Sequence, residues 1–319
     1  MVTLGSTGLD VFELCLGGNV WGWTADEAQS FEVLDAYVAA GGNFLDTANQ
    51  YSFWAPGNDG GMSETIIGRW MVSRGNRADV VLATKVGGEM PGLPHDLRAS
   101  TIARACDESL ARLQTDYIDL YYAHFDDLGT PLEETLDAFD ALVRAGKVRH
   151  LAASNHSAPR LASALEISAR EGFASYEVFQ PHYSLVEREF EAELQPLLVE
   201  KGIPSVPYWT LAQGFLLGKY RPGSAGSDAS PRAGEASVYL KRGGAAVLEV
   251  LDEIAAVHET TLGPVVLAWT AAQPSVATPI ASARTVEQLE GLLPFVGLTL
   301  TDDEIARLDA ASAVVTSSS

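Results

Sequence analysis

Eight short apolar runs alternating with amphipathic helical segments, the near-continuous apolar character of those runs, and a length of 319 residues together predict an α/β fold, a (β/α)8 TIM barrel with an N-terminal β-hairpin. Runs that do not alternate apolar with polar read as strands buried on both faces, which is the condition of a parallel sheet covered by helices. A doubly wound sheet is the competing arrangement. No composition break divides the chain, so one domain over residues 1–319 is expected.

The first segment, VTLGSTGLDVFEL at 2–14, carries two extended pieces around Ser6-Thr7-Gly8, the pattern of a hairpin placed to cap the barrel's bottom. The apolar runs then follow at 14–18, 43–48, 80–86, 117–124, 148–154, 176–181, 203–209 and 276–282. Between them, apolar residues at three- and four-residue spacing predict helices at 27–40, 63–72, 97–113, 132–144, 158–170 and 188–200. The stretch 221–236, RPGSAGSDASPRAGEA, reads as a mobile flap because Gly, Pro and Ser dominate it. A long helical segment, 237–259, follows the flap, and the tail AVVTSSS is expected to fray.

Composition removes several function classes. Acidic residues number 42 against 21 basic, a net charge of −21 that repels phosphate backbones and anionic lipid surfaces, so neither nucleic acid nor membrane is an expected partner. Two cysteines, Cys15 and Cys106, are too few for a disulfide framework and point to a reducing cytoplasm. The N-terminus lacks the basic and apolar regions of a signal peptide. No HxxxH, HExxH or His-x-His pattern occurs, so no metal site is expected, and a metal-dependent barrel hydrolase would need a His-x-His where this chain has CLGGNVWG.

Barrel enzymes place their chemistry at the C-terminal ends of strands. The second run ends in Asp46 with Tyr51 just beyond, the third in Lys85 and the fourth in His124. Alone, each has an ordinary explanation as cap, solvent-reaching amine or core imidazole. Brought to one pocket they form a proton-delivery group. A phenol beside an ammonium becomes more acidic, the ammonium needs a carboxylate as counter-ion, and the imidazole can orient a carbonyl oxygen.

This pattern, Asp46-Thr47-Ala48-x-x-Tyr51 followed by Lys85 and His124, resembles the catalytic Asp-Tyr-Lys-His tetrad of the aldo-keto reductase family, and the resemblance covers nearly the whole chain. It implies hydride transfer between NADP(H) and a small-molecule aldehyde or ketone, with Tyr51 as general acid and no metal. Ser154, Asn155 and Gln180 are similar to the family's contacts with the nicotinamide carboxamide, and Tyr208 takes the place of the aromatic that stacks on the ring. The segment 208–219 resembles the pyrophosphate loop, which implies contacts from Leu211, Gly214, Leu216, Gly218 and Lys219. After the eighth run, Ser282, Arg284 and Gln288 stand where the family holds the adenosine 2′-phosphate. Here the chain departs from the pattern: Gly291-Leu292 replaces a Glu-Asn pair that meets the adenine, so NAD(H) stays open beside NADP(H).

Trp21, Trp23, Phe53, Trp54 and Phe125 follow strand ends or lie in adjoining loops, which suggests an aromatic, largely apolar pocket mouth. The particular carbonyl and the oligomeric state are not legible. A nucleotide-binding sensor or interaction protein with little turnover is the alternative that the same residues allow.

Overall fold

The computed structural model describes residues 1–221 and 233–315. The hairpin is present: β1 (Val2–Thr3) pairs antiparallel with β2 (Asp10–Val11), and Gly8 takes the left-handed φ of 70° that the reversal requires. Seven parallel strands make the main sheet: β3 (Cys15–Gly17), β4 (Phe44–Asp46), β5 (Val81–Val86), β6 (Ile118–Ala123), β7 (Val148–Ser154), β8 (Tyr176–Gln180) and β9 (Ile280–Ala281). Their spatial order is β8-β7-β6-β5-β4-β3-β9.

Eight runs were expected as strands, and the seventh, 203–209, is not one. It is nonetheless bonded on both sides. Val206 donates to Phe179 O and Tyr208 to Pro181 O toward β8, while Ser205 donates to Ser275 O and Ile280 to Pro207 O toward β9. Pro204 and Pro207 have no N–H, so this stretch keeps only isolated bridges in place of a regular ladder. Pro274 and Pro279 shorten the eighth run to β9 in the same way.

Helices cover the sheet: α1 (Glu27–Ala39), α2 (Met62–Arg74), α3 (Ala99–Leu113), α4 (Leu132–Arg144), α5 (Ala158–Glu171), α6 (Leu194–Lys201), α7 (Ala233–Lys241), α8 (Ala245–Val257), α9 (Leu262–Ala271), α10 (Val286–Glu290) and α11 (Asp302–Ser312). The first five match the expected segments to within two residues at either end. Two segments do not. The stretch 188–200 yields only α6, preceded by one 3-10 turn, because Pro196 can stand in a helix's first turn but not in its interior. The long segment 237–259 breaks into α7 and α8 at Gly243 and Gly244, where Gly243 has a φ of 91° and a Cβ on Gly244 would lie 2.7 Å from Tyr239 O. Of the expected flap, 221–236, residues 222–232 lie outside the described residues and 233–236 are already helical, as the start of α7; the last four residues of the tail also lie outside.

Two apolar layers result. One lies between sheet and helices. The other lines the sheet's inner face, where Cys15, Phe44, Ala83, Leu120, Tyr122, Ala152, Val178, Val206 and Ile280 cluster with Leu4 and Val11 of the hairpin region. Residue alternation along a strand sets which side chains come next on that inner face, two positions further on. They are Gly17, Asp46, Lys85, His124, Ser154, Gln180, Tyr208 and Ser282, nearly all polar.

Candidate active site

The polar ring is therefore a consequence of strand periodicity. Each strand buries an apolar side chain toward the lumen and, one pleat later at its C-terminal end, presents a polar one. The parallel register steps these ends around the sheet: Asp46 stands opposite Ala83 and Lys85 opposite Tyr122, each one pleat short of the next strand's polar residue, while Ser154 stands level with Gln180.

Lys85 is fully buried, and its ammonium makes three hydrogen bonds: to Asp46 Oδ2 at 2.7 Å, to the Thr47 carbonyl at 2.7 Å and to Tyr51 Oη at 2.9 Å. An ammonium has three protons, so all are used, and the geometry is that of a charged lysine with its counter-ion. Burial pulls the Lys85 pKa down, and the charge and hydrogen bond of Asp46 act against that pull. The Tyr51 phenol accepts from Lys85, and its own nearest acceptor, Asp46 Oδ2, is 3.4 Å away, a long bond that leaves the proton weakly held. The sequence reading has the ammonium making this phenol more acidic. The opposite direction is found: burial, reinforced by the Asp46 charge, holds the Tyr51 phenol well above the ordinary tyrosine value. The phenol thus stays protonated at neutral pH.

His124 is buried, packs flat on Phe125 with centroids 4.6 Å apart, and has no partner for Nδ1. Burial first, then the nearby Lys85 charge and His95, keeps the imidazole well below its ordinary pKa and so neutral. A continuous hydrogen-bond chain links the far side of the ring to these groups. Tyr208 Oη donates to Asn155 Oδ1 at 2.8 Å, and Asn155 Nδ2 donates to the His124 carbonyl at 2.8 Å and Ser154 Oγ at 3.1 Å. Ser154 Oγ donates to the Gln180 carbonyl at 2.8 Å, and Gln180 Nε2 donates to Asp46 Oδ1 at 2.9 Å.

These side chains border a cavity of about 790 Å³, within the size range of ligand and cofactor sites. Asp46, Tyr51, His124, Asn155, Gln180, Tyr208, Leu211, Gly214, Lys219, Ser282, Arg284 and Gln288 line it, as do Trp23, Trp54 and Phe125. Lys85 and Ser154 sit one layer beneath the wall. Other expected contacts lie elsewhere. Trp21 and Leu216 are fully buried in the core between sheet and helices, Gly218 closes a 3-10 turn with a φ of 72°, and Phe53 reaches the site only through its packing on Trp54 at 5.5 Å. The wall also includes Asn19, Gln50, Trp209 and Gln213, which the sequence reading missed. Asn19 had a signal: it continues the inward register of Cys15 and Gly17, and it accepts from Ser282 Oγ at 2.8 Å.

The residues present fit a phosphate-bearing dinucleotide. In this acidic chain most described Lys and Arg side chains pair with a carboxylate. Lys219 and Arg284 line the cavity and have no carboxylate within ion-pair distance among the described residues. Just before Lys219 the backbone of 209–218 turns sharply, with positive φ at Trp209, Ala212, Gln213 and Gly214, and a Cβ on Gly214 would meet open space. Successive N–H groups in such turns form concavities suited to anions.

A sequence model of the Aldo/keto reductase family matches residues 13–313. The uncharacterized oxidoreductase YrpG of Bacillus subtilis is 36% identical over 312 residues, covering 96% of this chain and 93% of that protein. Norsolorinic acid reductase of Aspergillus flavus is 32% identical, covering 96% of this chain and 79% of that one, and Protein tas of Escherichia coli is 32% identical, covering 97% and 96%. With its polar ring at the strand ends and a family match that spans nearly all of its length, this chain belongs to the aldo/keto reductase family.

Proposed function

We propose that the chain is an NADP(H)-dependent reductase of aldehydes or ketones, one domain over residues 1–319, whose general acid is Tyr51. The family as a whole reduces carbonyl groups with nicotinamide cofactors, and the fold read for this member is a closed (β/α)8 barrel. The observation that carries the reading is the Lys85 ammonium, held beneath the cavity wall 2.7 Å from Asp46 and 2.9 Å from Tyr51, both of which line the cavity.

When bound, the cofactor supplies the hydride that adds to the carbonyl carbon. Everything else falls to the chain's own side chains. Tyr51 gives its proton to the oxygen as negative charge develops there, and Lys85 donates a hydrogen bond to the phenolate left behind. Asp46 keeps Lys85 charged and in place. Neutral His124 donates its ring N–H to the carbonyl oxygen and sets its angle. Asn155, Gln180 and the Tyr208 ring form the nicotinamide floor with Ser154 beneath it, Leu211, Gly214 and Lys219 belong to the pyrophosphate side, and Ser282, Arg284 and Gln288 to the 2′-phosphate. Arg284 without a described counter-ion favours NADP(H) over NAD(H). Trp23, Trp54 and Phe125 give the substrate end an apolar, aromatic wall suited to an uncharged carbonyl compound.

Fluorescence titration with NADPH and NADH, followed by absorbance loss with a panel of aldehydes and ketones, tests this reading. NADPH is expected to bind more tightly than NADH, and at least one carbonyl compound to be turned over. Binding with no turnover across the panel would sink the reductase in favour of a nucleotide sensor.

A further inference from the structure

Asp46 has two oxygens and divides them. Oδ2 faces Lys85, and Oδ1 accepts from Gln180 Nε2 at 2.9 Å, a contact that crosses the lumen from β8 to β4. Both residues are 2% exposed, so no bulk water competes for either oxygen. Gln180 also lines the cavity, and its main-chain carbonyl is tied to Ser154. One amide thus touches the cofactor side of the site and the counter-ion of the proton-delivery group at once.

We propose that Gln180 is a positioning residue that holds Asp46 by its second oxygen and shares that carboxylate's charge with Lys85, linking the state of the cofactor floor to the strength of the Asp46–Lys85 pair. The inference rests on the reading of Lys85 and Tyr51 as the proton-delivery group. Its physical basis is that a carboxylate's basicity falls with each donor it accepts from. With Gln180 in place, Asp46 holds the ammonium less strongly than a carboxylate bonded to Lys85 alone. When Gln180 turns toward a ligand amide, Oδ1 loses its donor and the carboxylate's charge concentrates on Lys85. The other groups that face the ammonium are Cys15 on β3, Tyr51 after β4, Tyr122 on β6, His124 just after it, and Glu64 on α2. Of the neutral donors to the counter-ion, Tyr51 is the long one, 3.4 Å from Oδ2, and Gln180 on β8 is the close one, on Oδ1.

The test compares the parent protein with Gln180→Met, which keeps length and removes the donor, and Gln180→Glu, which sets a second carboxyl beside Asp46. The first readout needs no cofactor. The 13Cε resonance of Lys85, assigned by its loss in Lys85→Met, is titrated with pH in the free protein. An upward move of its midpoint is expected in Gln180→Met, and in Gln180→Glu as the added carboxyl ionises. Loosened packing would relieve the burial that holds the Lys85 pKa down and so raise the midpoint too. The denaturant midpoint of each variant is therefore measured beside it, a rise at unchanged stability supporting the proposal and a rise only with lost stability counting against it. The second readout is the same Lys85 titration with NADPH bound. The rise of the midpoint on binding is expected to be larger in the parent protein, where Gln180 leaves Asp46, than in Gln180→Met, where no donor is there to leave; an equal rise in both would count against the coupling. An unmoved or lowered Lys85 midpoint in both variants, with only weaker NADPH binding, would overturn the proposal and leave Gln180 a cofactor contact. Absence of any carbonyl turnover by the parent protein would instead strike the reductase reading itself, while the Lys85 titration would still decide the coupling.

Discussion

Tyr51 concentrates the chemistry in one oxygen. Phe at this position keeps the ring and its tilted packing on Trp54, with centroids 6.1 Å apart, and removes only the proton. Carbonyl reduction should fall by about 10²- to 10⁴-fold, the usual cost of losing a positioned acid, while NADPH binding measured by fluorescence persists. Retention of near-full activity would assign the proton to another donor. The raised pKa of Tyr51 makes a second statement, with a definite sign. Reduction needs the protonated phenol, and that form persists at least to the ordinary tyrosine value of about 10, so kcat/KM for reduction should stay level from about pH 6 to pH 9. Alcohol oxidation needs the phenolate and should rise with pH over the same range. A reduction profile that falls with a midpoint below about pH 9 would show the phenol to be acidic after all. For cofactor choice, Arg284→Ala should shrink the NADPH-over-NADH margin by roughly 1–3 kcal/mol, the worth of a hydrogen bond to a charged group, read from the two titrations.

At the scale of elements, what aims these residues is close packing behind the strands. Buried Glu64 on α2 accepts from Thr84 of β5 at 2.5 Å and from Arg112 of α3 at 2.6 Å, so a single carboxylate ties two helices to the strand that carries Lys85. The helices can approach because residue 68 is glycine. A Cβ there would lie 2.3 Å from Arg112 O and 2.7 Å from the Leu113 carbonyl carbon, both main-chain atoms that cannot swing away. Gly68→Ala should therefore destabilise by about 1–3 kcal/mol despite alanine's better helix propensity, measurable as a lower denaturant midpoint with unchanged slope. An unchanged or higher midpoint would mean that α2 and α3 separate at no cost. Reciprocal caps start α11, where Thr301 and Glu304 bond each other, and α1, where Asp26 and Gln29 do the same; neither cap, nor α11 itself, was picked out from the sequence. Helix α9 was not picked out by its period, since its residues from Gly263 to Thr270 are all buried and no polar face marks the repeat.

For the molecule as a whole, ligand binding and stability are one equilibrium. A nucleotide that binds only the folded chain adds stability as its concentration rises, about 2.7 kcal/mol at a hundredfold excess over Kd. Thermal unfolding should thus move upward with NADPH, by a larger interval than with equal NADH, and the NADPH interval should narrow in Arg284→Ala. Equal shifts for the two nucleotides in the parent protein would remove the 2′-phosphate assignment without touching the acid–base group. Among the described residues no helix is long and apolar enough to cross a membrane.

The sequence by itself determined the strand–helix alternation, the hairpin, and the candidates Asp46, Tyr51, Lys85 and His124, because these depend on local period and on which residue ends each apolar run. It could not show that 203–209 would bond to both neighbours without forming a strand, since that depends on which N–H groups the prolines remove and on where the adjoining chains lie. Nor could it place Trp21 in the core and Trp23 in the cavity wall. Two residues that share a loop and an apolar or polar label can face opposite sides of it, and only packing chooses between them. The direction of the Tyr51 pKa was decided last of all: the neighbours were legible as residue types, but burial outweighs the ammonium, and burial is a property of the closed structure alone.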